Sequence, residues 1–354
     1  MAKILISGYY GYDNLGDEAV LGAIINFLRS GAKNPISITV LSAFPEKTAR
    51  RYHVKAVNRY NPLKIMKELI KCDLFISGGG SLLQDITGWK TVPYYLSFLF
   101  LARILRKKTV IYAQGVGPLK RKASRVMVKW VLKGVDFISV RDKKSKQLLS
   151  DIVGIPEHSI YKSVDPVFGI EPSRSTVTEE KPLVGFALRP WNNGNYLEEL
   201  SSAADVFLRD IGAEGMLVPL NQEKDREVCR IMSNLMWEDI NISKGNILPQ
   251  EAPRFFSKFN FFVGVRLHSL IFAALQGIPF FALSYDPKII ALMDMLDLDY
   301  YISIEDCSFS RLRDGLFRAW EDRELIREKL LKLRPKLKKK AEKNAEIVLD
   351  LLQK

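Results

Sequence analysis

Cysteine and histidine are scarce: three of each among 354 residues. Cys72, Cys229 and Cys307 stand apart, with no CxxC and no disulfide framework, which fits a reducing cytoplasm. No His/Asp/Glu cluster has metal-ligand spacing, so no metal is expected. The first strand is not followed by GxGxxG, and no Walker lysine is present, which excludes the usual NAD and ATP fingerprints. There is no zinc, RRM or KH pattern, and no nucleic-acid partner is expected. The longest apolar run, Val92 to Leu105, is interrupted by Arg103 and falls short of the roughly 20 residues of a spanning helix. It reads as a buried helix, with an interfacial helix as the lesser option. MAKILIS opens a strand rather than a signal peptide. No repeat of about 20–50 residues is visible.

What is present is apolar and basic. Hydrophobic residues make up 47% of the chain and the net charge is +13. The length suits two domains. Between Arg327 and Lys343 nine Lys and Arg meet two Glu. That basic run fits either a solvated lysine-rich helix or peripheral contact with an anionic membrane.

The stretch Phe261–Lys288 organises the chain. Phe261 to Val265 reads as a buried strand, Ser269 to Gln276 as a buried helix stopped by Gly277, and Pro279 to Ser284 as the next strand. Strand, helix, strand makes a parallel βαβ unit, whose strands share one carboxyl edge. Arg266, His268 and Lys288 then face one crevice and form an anion site. A lone Arg at a strand end is usually a surface charge, and a lone His usually structural. Three such residues at two neighbouring strand ends favour a site.

Before that stretch the pattern recurs. Lys3 to Ile6 is a strand. Gly8–Asp17 follows as a Gly-rich turn, then a helix from about Glu18 to Leu28. Asp17 and Glu18 fit either a ligand site or a helix cap. Strands at 38–41, 73–76, 109–113 and 137–140 complete an N-terminal half. They end in Ser77-Gly78-Gly79-Gly80-Ser81, in Gln114 to Pro118 and in Arg141-Asp142. The three glycines suit close approach of a substrate or a tight turn under a packed helix. Gln84 and Asp85 are placed to reach sugar hydroxyls. Glu171 to Lys181 is the best linker. The second half carries strands at 183–188, ended by Arg189-Pro190-Trp191, at 215–220, at 246–248 and at 301–303. A helix covers 311–333, and Pro335 restarts a last helix whose Leu337, Ala341, Ala345, Val348 and Leu352 form an apolar stripe.

These motifs together resemble the polysaccharide pyruvyl transferase family, most closely its bacterial cell-surface (CsaB-type) branch. The resemblance runs through Gly8–Asp17, GGGSLLQD at Gly78–Asp85, Gln114–Pro118, Val140–Asp142, Asp165–Phe168, Arg189 and VRLHSLIFAALQGIPFFAL within Val265–Lys288. It implies an α/β, GT-B-like fold: two Rossmann-like doubly wound domains facing across a cleft. The acceptor domain would be 1–170, the donor domain 181–333, and 335–354 a helix packing back on the first. It also implies transfer of pyruvate from phosphoenolpyruvate, the co-substrate, onto two hydroxyls of a lipid-linked or polymeric sugar at the inner membrane face. No cofactor is expected. The bacterial branch acts on N-acetylmannosamine of secondary cell-wall polymers, and the ketal holds S-layer proteins. Phosphoenolpyruvate needs several cations, for which Arg266, Lys288, Arg141 and Arg189 are candidates. His268 is the natural proton donor, though a phosphate ligand is the other role open to it. On the acceptor side Asp17 and Asp85 are first choices as base, with Asn14, Gly78, Gly79 and Gly80 lining the site. The competing reading on the same scaffold is a nucleotide-sugar glycosyltransferase.

Overall fold

The computed structural model describes residues 1–86, 88–174, 181–191 and 196–353. Most of the expected linker, 175–180, lies outside the described residues. Contacts divide the chain into Met1–Gly169 with Leu337–Lys354, and Ile170–Lys336.

The first unit runs β1 (Ala2–Ser7), α1 (Leu15–Gly31), β2 (Ile36–Ser42), α2 (Pro45–Tyr52), β3 (Lys55–Asn58), α3 (Pro62–Lys71), β4 (Leu74–Ser77), α4 (Thr91–Ile104), β5 (Lys108–Gln114), α5 (Lys122–Leu132), β6 (Phe137–Val140), α6 (Lys143–Gln147) and β7 (Ile160–Lys162). Its seven strands are parallel, in the order β3-β2-β1-β4-β5-β6-β7. Runs such as Ile4-Leu5-Ile6 and Leu74-Phe75-Ile76 are fully buried, because helices cover both faces of such a sheet. The order reverses direction between β1 and β4, so the loops after those strands open the crevice where this architecture takes ligands.

The second unit runs β8 (Leu183–Ala187), α7 (Tyr196–Asp210), β9 (Glu214–Leu217), α8 (Gln222–Leu235), β10 (Ile240–Ile242), α9 (Ala252–Phe256), β11 (Phe261–Gly264), α10 (Leu267–Gln276), β12 (Phe280–Ser284), α11 (Pro287–Leu296), β13 (Tyr301–Ser303) and α12 (Phe309–Glu321). Six parallel strands lie in the order β10-β9-β8-β11-β12-β13, reversing between β8 and β11. An aromatic core fixes the sheet: Phe256 packs on Phe259, Phe262 and Phe272, and Phe207 on Phe261 and Trp320.

Several expectations need correction. The first helix starts at Leu15, capped by Asn14, whose side chain accepts from the Gly16 amide at 3.3 Å. Asp17 and Glu18 therefore sit in its first turn. Strands β3, β7 and β10 are not among the expected ones: they lie at sheet edges, and KAVN, IYK and INI contain no continuous apolar run. The expected strand at 246–248 is loop, and its place in the sheet is taken by Ile240–Ile242. The chain breaks between α12 and α13 (Arg323–Gln353), and not at Pro335, which lies inside the long helix. A proline there removes one helical N–H, yet the helix runs on through it. Up to Lys336 this helix belongs to the second unit, and from Leu337 to the first. In the first unit Leu337, Ala341, Ala345 and Val348 are buried, Asn344 bonds Ser163, and the Ser163 hydroxyl donates to the Lys340 carbonyl at 3.0 Å.

Candidate active site

In the second unit register does the positioning. Gly264 of β11 pairs with Ala187 of β8 on one side and Ala282 of β12 on the other. Two residues beyond these partners stand Arg266, Arg189 and Ser284. His268 follows in the first turn of α10, and Lys288 in the first turn of α11. One sheet edge thus carries three cations and an imidazole, at the strand-order reversal. Gly277 ends α10 in the left-handed region (φ 74°), the conformation that lets the chain turn straight into β12.

The cations are not bare. Arg266 forks onto Asp225, with Nε 3.0 Å from Oδ2 and Nη2 on Oδ1. Asp225 is fully buried and also accepts from the Asn221 amide at 3.0 Å. This carboxylate neutralises part of Arg266 and aims the rest; the N–H groups on Nη1 face away from the fork. Arg189 lies over the Tyr285 ring, 4.0 Å from its centroid, with Trp191 5.9 Å away. Lys288 sits 5.1 Å from the same centroid and pairs with Asp286 at 3.4 Å. Burial pushes the Tyr285 phenol up, but Lys288 and Arg189 together outweigh it and hold it below the ordinary tyrosine value. Sequence reasoning missed Asp225, Trp191 and Tyr285. The signal available was an aromatic beside each cation, in Arg-Pro-Trp and in Tyr-Asp-Pro-Lys.

Because its neighbours favour the charged form, Tyr285 is expected to ionise ahead of the buried tyrosines Tyr10, Tyr52, Tyr112 and Tyr196, all shifted upward. Ultraviolet titration of Tyr285→Phe against the native chain checks this: the first tyrosinate step disappears. Lys288→Met moves that step to higher pH.

Of the first-unit candidates, Asn14, Asp17 and the Gly78–Gly80 loop meet at the strand-order reversal. A Cβ on Gly79 would strike Val20 of α1, and one on Gly80 (φ 85°) would lie 2.8 Å from Asp17 Oδ1. The glycines therefore let α1 and its Asp17 press against the loop. Glu18 is structural: buried, it accepts from the Gly11 amide at 2.7 Å and pairs with Arg51 at 3.2 Å. Asp85 and Arg141 are each held by partners within the first unit. Asp85 is buried and spends its two oxygens on the Lys120 and Arg121 amides at 2.8 and 2.9 Å. Burial raises its carboxyl, but those amides and the Ser124 hydroxyl win and hold it below the usual value. Arg141 is buried in the first unit, 3.1 Å from Asp165 and 3.0 Å from Ser81, bracing two loops. His53 and His158 are exposed.

A family model described as polysaccharide pyruvyl transferase matches residues 14–287. The chain belongs to the polysaccharide pyruvyl transferase family. No curated protein matches it in sequence. Among solved structures it resembles a glycosyltransferase from Rickettsia africae (TM-score 0.66, 11% identity, covering 100% of this chain and 99% of that one). It also resembles the UDP-GlcNAc 2-epimerase of Neisseria meningitidis (0.64, 13%, 99% of each chain) and S. aureus MnaA (0.65, 13%, 93% and 90%). At such identity the likeness concerns fold alone, and that fold is GT-B-like. This pyruvyl transferase family member is therefore a transferase of polysaccharide biosynthesis on two parallel-sheet α/β units.

Proposed function

We propose that the enzyme moves pyruvate from phosphoenolpyruvate onto two hydroxyls of one sugar of a cell-surface polysaccharide precursor, forming a ketal and releasing phosphate. The observation that carries this is the edge with Arg189, Arg266, Lys288 and the N-terminus of α10, which has no side-chain cap. A small ligand with both phosphate and carboxylate suits that density of cationic donors. His268 gives a proton to the methylene carbon of the enol. One sugar hydroxyl adds to the adjacent carbon, the C–O bond to phosphate breaks, and the second hydroxyl closes the ring. Of the two hydroxyl protons, one balances the proton taken by carbon and the other leaves with phosphate. Asp17 is the candidate base on the acceptor side. The acceptor proposed is a lipid-linked or polymeric N-acetylmannosamine, as in the CsaB-type branch with its S-layer role, handled at the cytoplasmic membrane face.

Incubation with phosphoenolpyruvate and a panel of lipid- or aglycone-linked disaccharides tests the reading. Phosphate release together with a new ketal methyl signal supports it. Release of nucleotide from a nucleotide sugar, with phosphoenolpyruvate untouched, replaces it with the glycosyltransferase.

A further inference from the structure

Between Asp85 and Asp136 the chain contains no acidic residue and eleven Lys or Arg. That stretch alone carries charge comparable to the net +13 of the whole protein. It contains α4, β5 and α5. None of the eleven forms a salt bridge among the described residues; those of Arg103, Lys107, Lys108 and Arg125 that bond at all reach backbone carbonyls. The α13 run behaves differently: Arg327, Lys329, Lys338 and Lys343 each have a carboxylate partner.

The same two helices expose large apolar side chains. On α5, Val128, Val131 and Leu132 enter the core, while Val126 is 59% and Trp130 61% exposed. Lys122, Val126, Lys129, Trp130 and Lys133 recur at helical spacing, so cations and apolar groups share one face. On α4, Phe98, Leu99 and Ala102 are buried and Ile104 is 60% exposed. Trp130 rests on Phe100, with ring centroids 5.0 Å apart, which joins the two outer faces. No described helix is long and apolar enough to cross a membrane. A surface of indole and aliphatic groups set among unpaired lysines has the composition of interfacial helices, whose apolar groups enter the headgroup region while cations meet anionic lipid.

We propose that the outer face of α4 and α5 docks on an anionic phospholipid bilayer, with Trp130, Val126 and Ile104 entering the headgroup layer. The run of one charge sign argues for the partner, and the apolar groups within it argue for a bilayer over a purely polar polyanion. Vesicle binding reads this surface without any turnover, so its outcome is independent of the pyruvyl-transfer reading.

The test is co-sedimentation of the full chain with phosphatidylcholine vesicles, with and without phosphatidylglycerol. Binding is expected only with the anionic lipid. At roughly fivefold per lysine, Lys122→Gln, Lys129→Gln and Lys133→Gln together weaken it on the order of a hundredfold. Trp130 also serves as its own probe: quenching by brominated lipid falls in Trp130→Phe, which keeps the fold. Equal binding to neutral vesicles, unchanged binding in the triple variant, or unchanged quenching in Trp130→Phe overturns the proposal. So does a comparable loss from Lys336→Gln, Lys339→Gln and Lys340→Gln in α13, or tighter capture by duplex DNA that the α5 triple variant abolishes.

Discussion

Replacing His268 by Gln is expected to lower turnover about 10²–10⁴-fold, the usual contribution of a positioned acid. Phosphoenolpyruvate affinity is expected to change much less, because a glutamine amide still donates to a phosphate oxygen. His268 is the one histidine of the second unit, on the first turn of α10, half-buried beside Arg266. In deuterated solvent the native enzyme should place deuterium in the ketal methyl group, since the methylene carbon gains one proton from the site. Single-turnover kinetics and calorimetry separate the two effects. Near-native turnover in His268→Gln would remove it as the acid and move the role to another group, with the Tyr285 phenol next in line on that edge.

Arg266→Ala is expected to have two effects at once. The substitution leaves Asp225 buried with no cation, and breaking a buried pair from one side typically costs about 3–5 kcal/mol of stability. It also strips a charge-assisted contact from the donor, worth about 2–5 kcal/mol in affinity. Loss of activity in that variant alone would therefore say little about binding. Arg266→Lys keeps the charge and loses the planar fork, so it is expected to retain most of the stability and lose donor affinity. Arg266→Ala with Asp225→Ala is expected to recover stability without recovering affinity. Denaturant melts and phosphoenolpyruvate titrations measure the two quantities separately. Unchanged affinity in both Arg266→Lys and Lys288→Ala would sink the assignment of this edge to the donor.

The sequence made this edge legible because parallel strands deliver their carboxyl ends to one place. Once Phe261–Val265 and Pro279–Ser284 read as strands, the juxtaposition of Arg266, His268 and Lys288 followed from geometry. Partners were a different matter. Asp225 lies 41 residues before Arg266, and only the pairing of β8 with β9 and β11 brings α8 to that edge. The partners of Asp85 and Arg141 were out of reach for a related reason. A charged residue after a strand looks the same in sequence whether it faces a ligand or clamps a neighbouring loop, and here backbone amides and Asp165 claim both. The edge strands β3, β7 and β10 were invisible because KAVN, IYK and INI mix polar and apolar residues and offer no buried run of the kind that marks β1 or β4. The apolar spacing of Leu337, Ala341, Ala345 and Val348 was readable, whereas the continuity of α13 through Pro335 depends on contacts that no local pattern encodes.

The two ends of the chain build one unit, and this sets an order of events during synthesis. Residues 1–169 leave the ribosome first, yet the helix that covers them arrives only after residues 170–336 have been made. At ordinary elongation rates that interval is roughly 8–30 s. For that time Gly31, Ser163 and Gly169 lack the cover supplied by Leu349, Asn344 and Ala341. The nascent first unit is then an unfinished surface waiting for its own last helix, and ribosome-bound chains stalled before Leu337 are where a chaperone would find it.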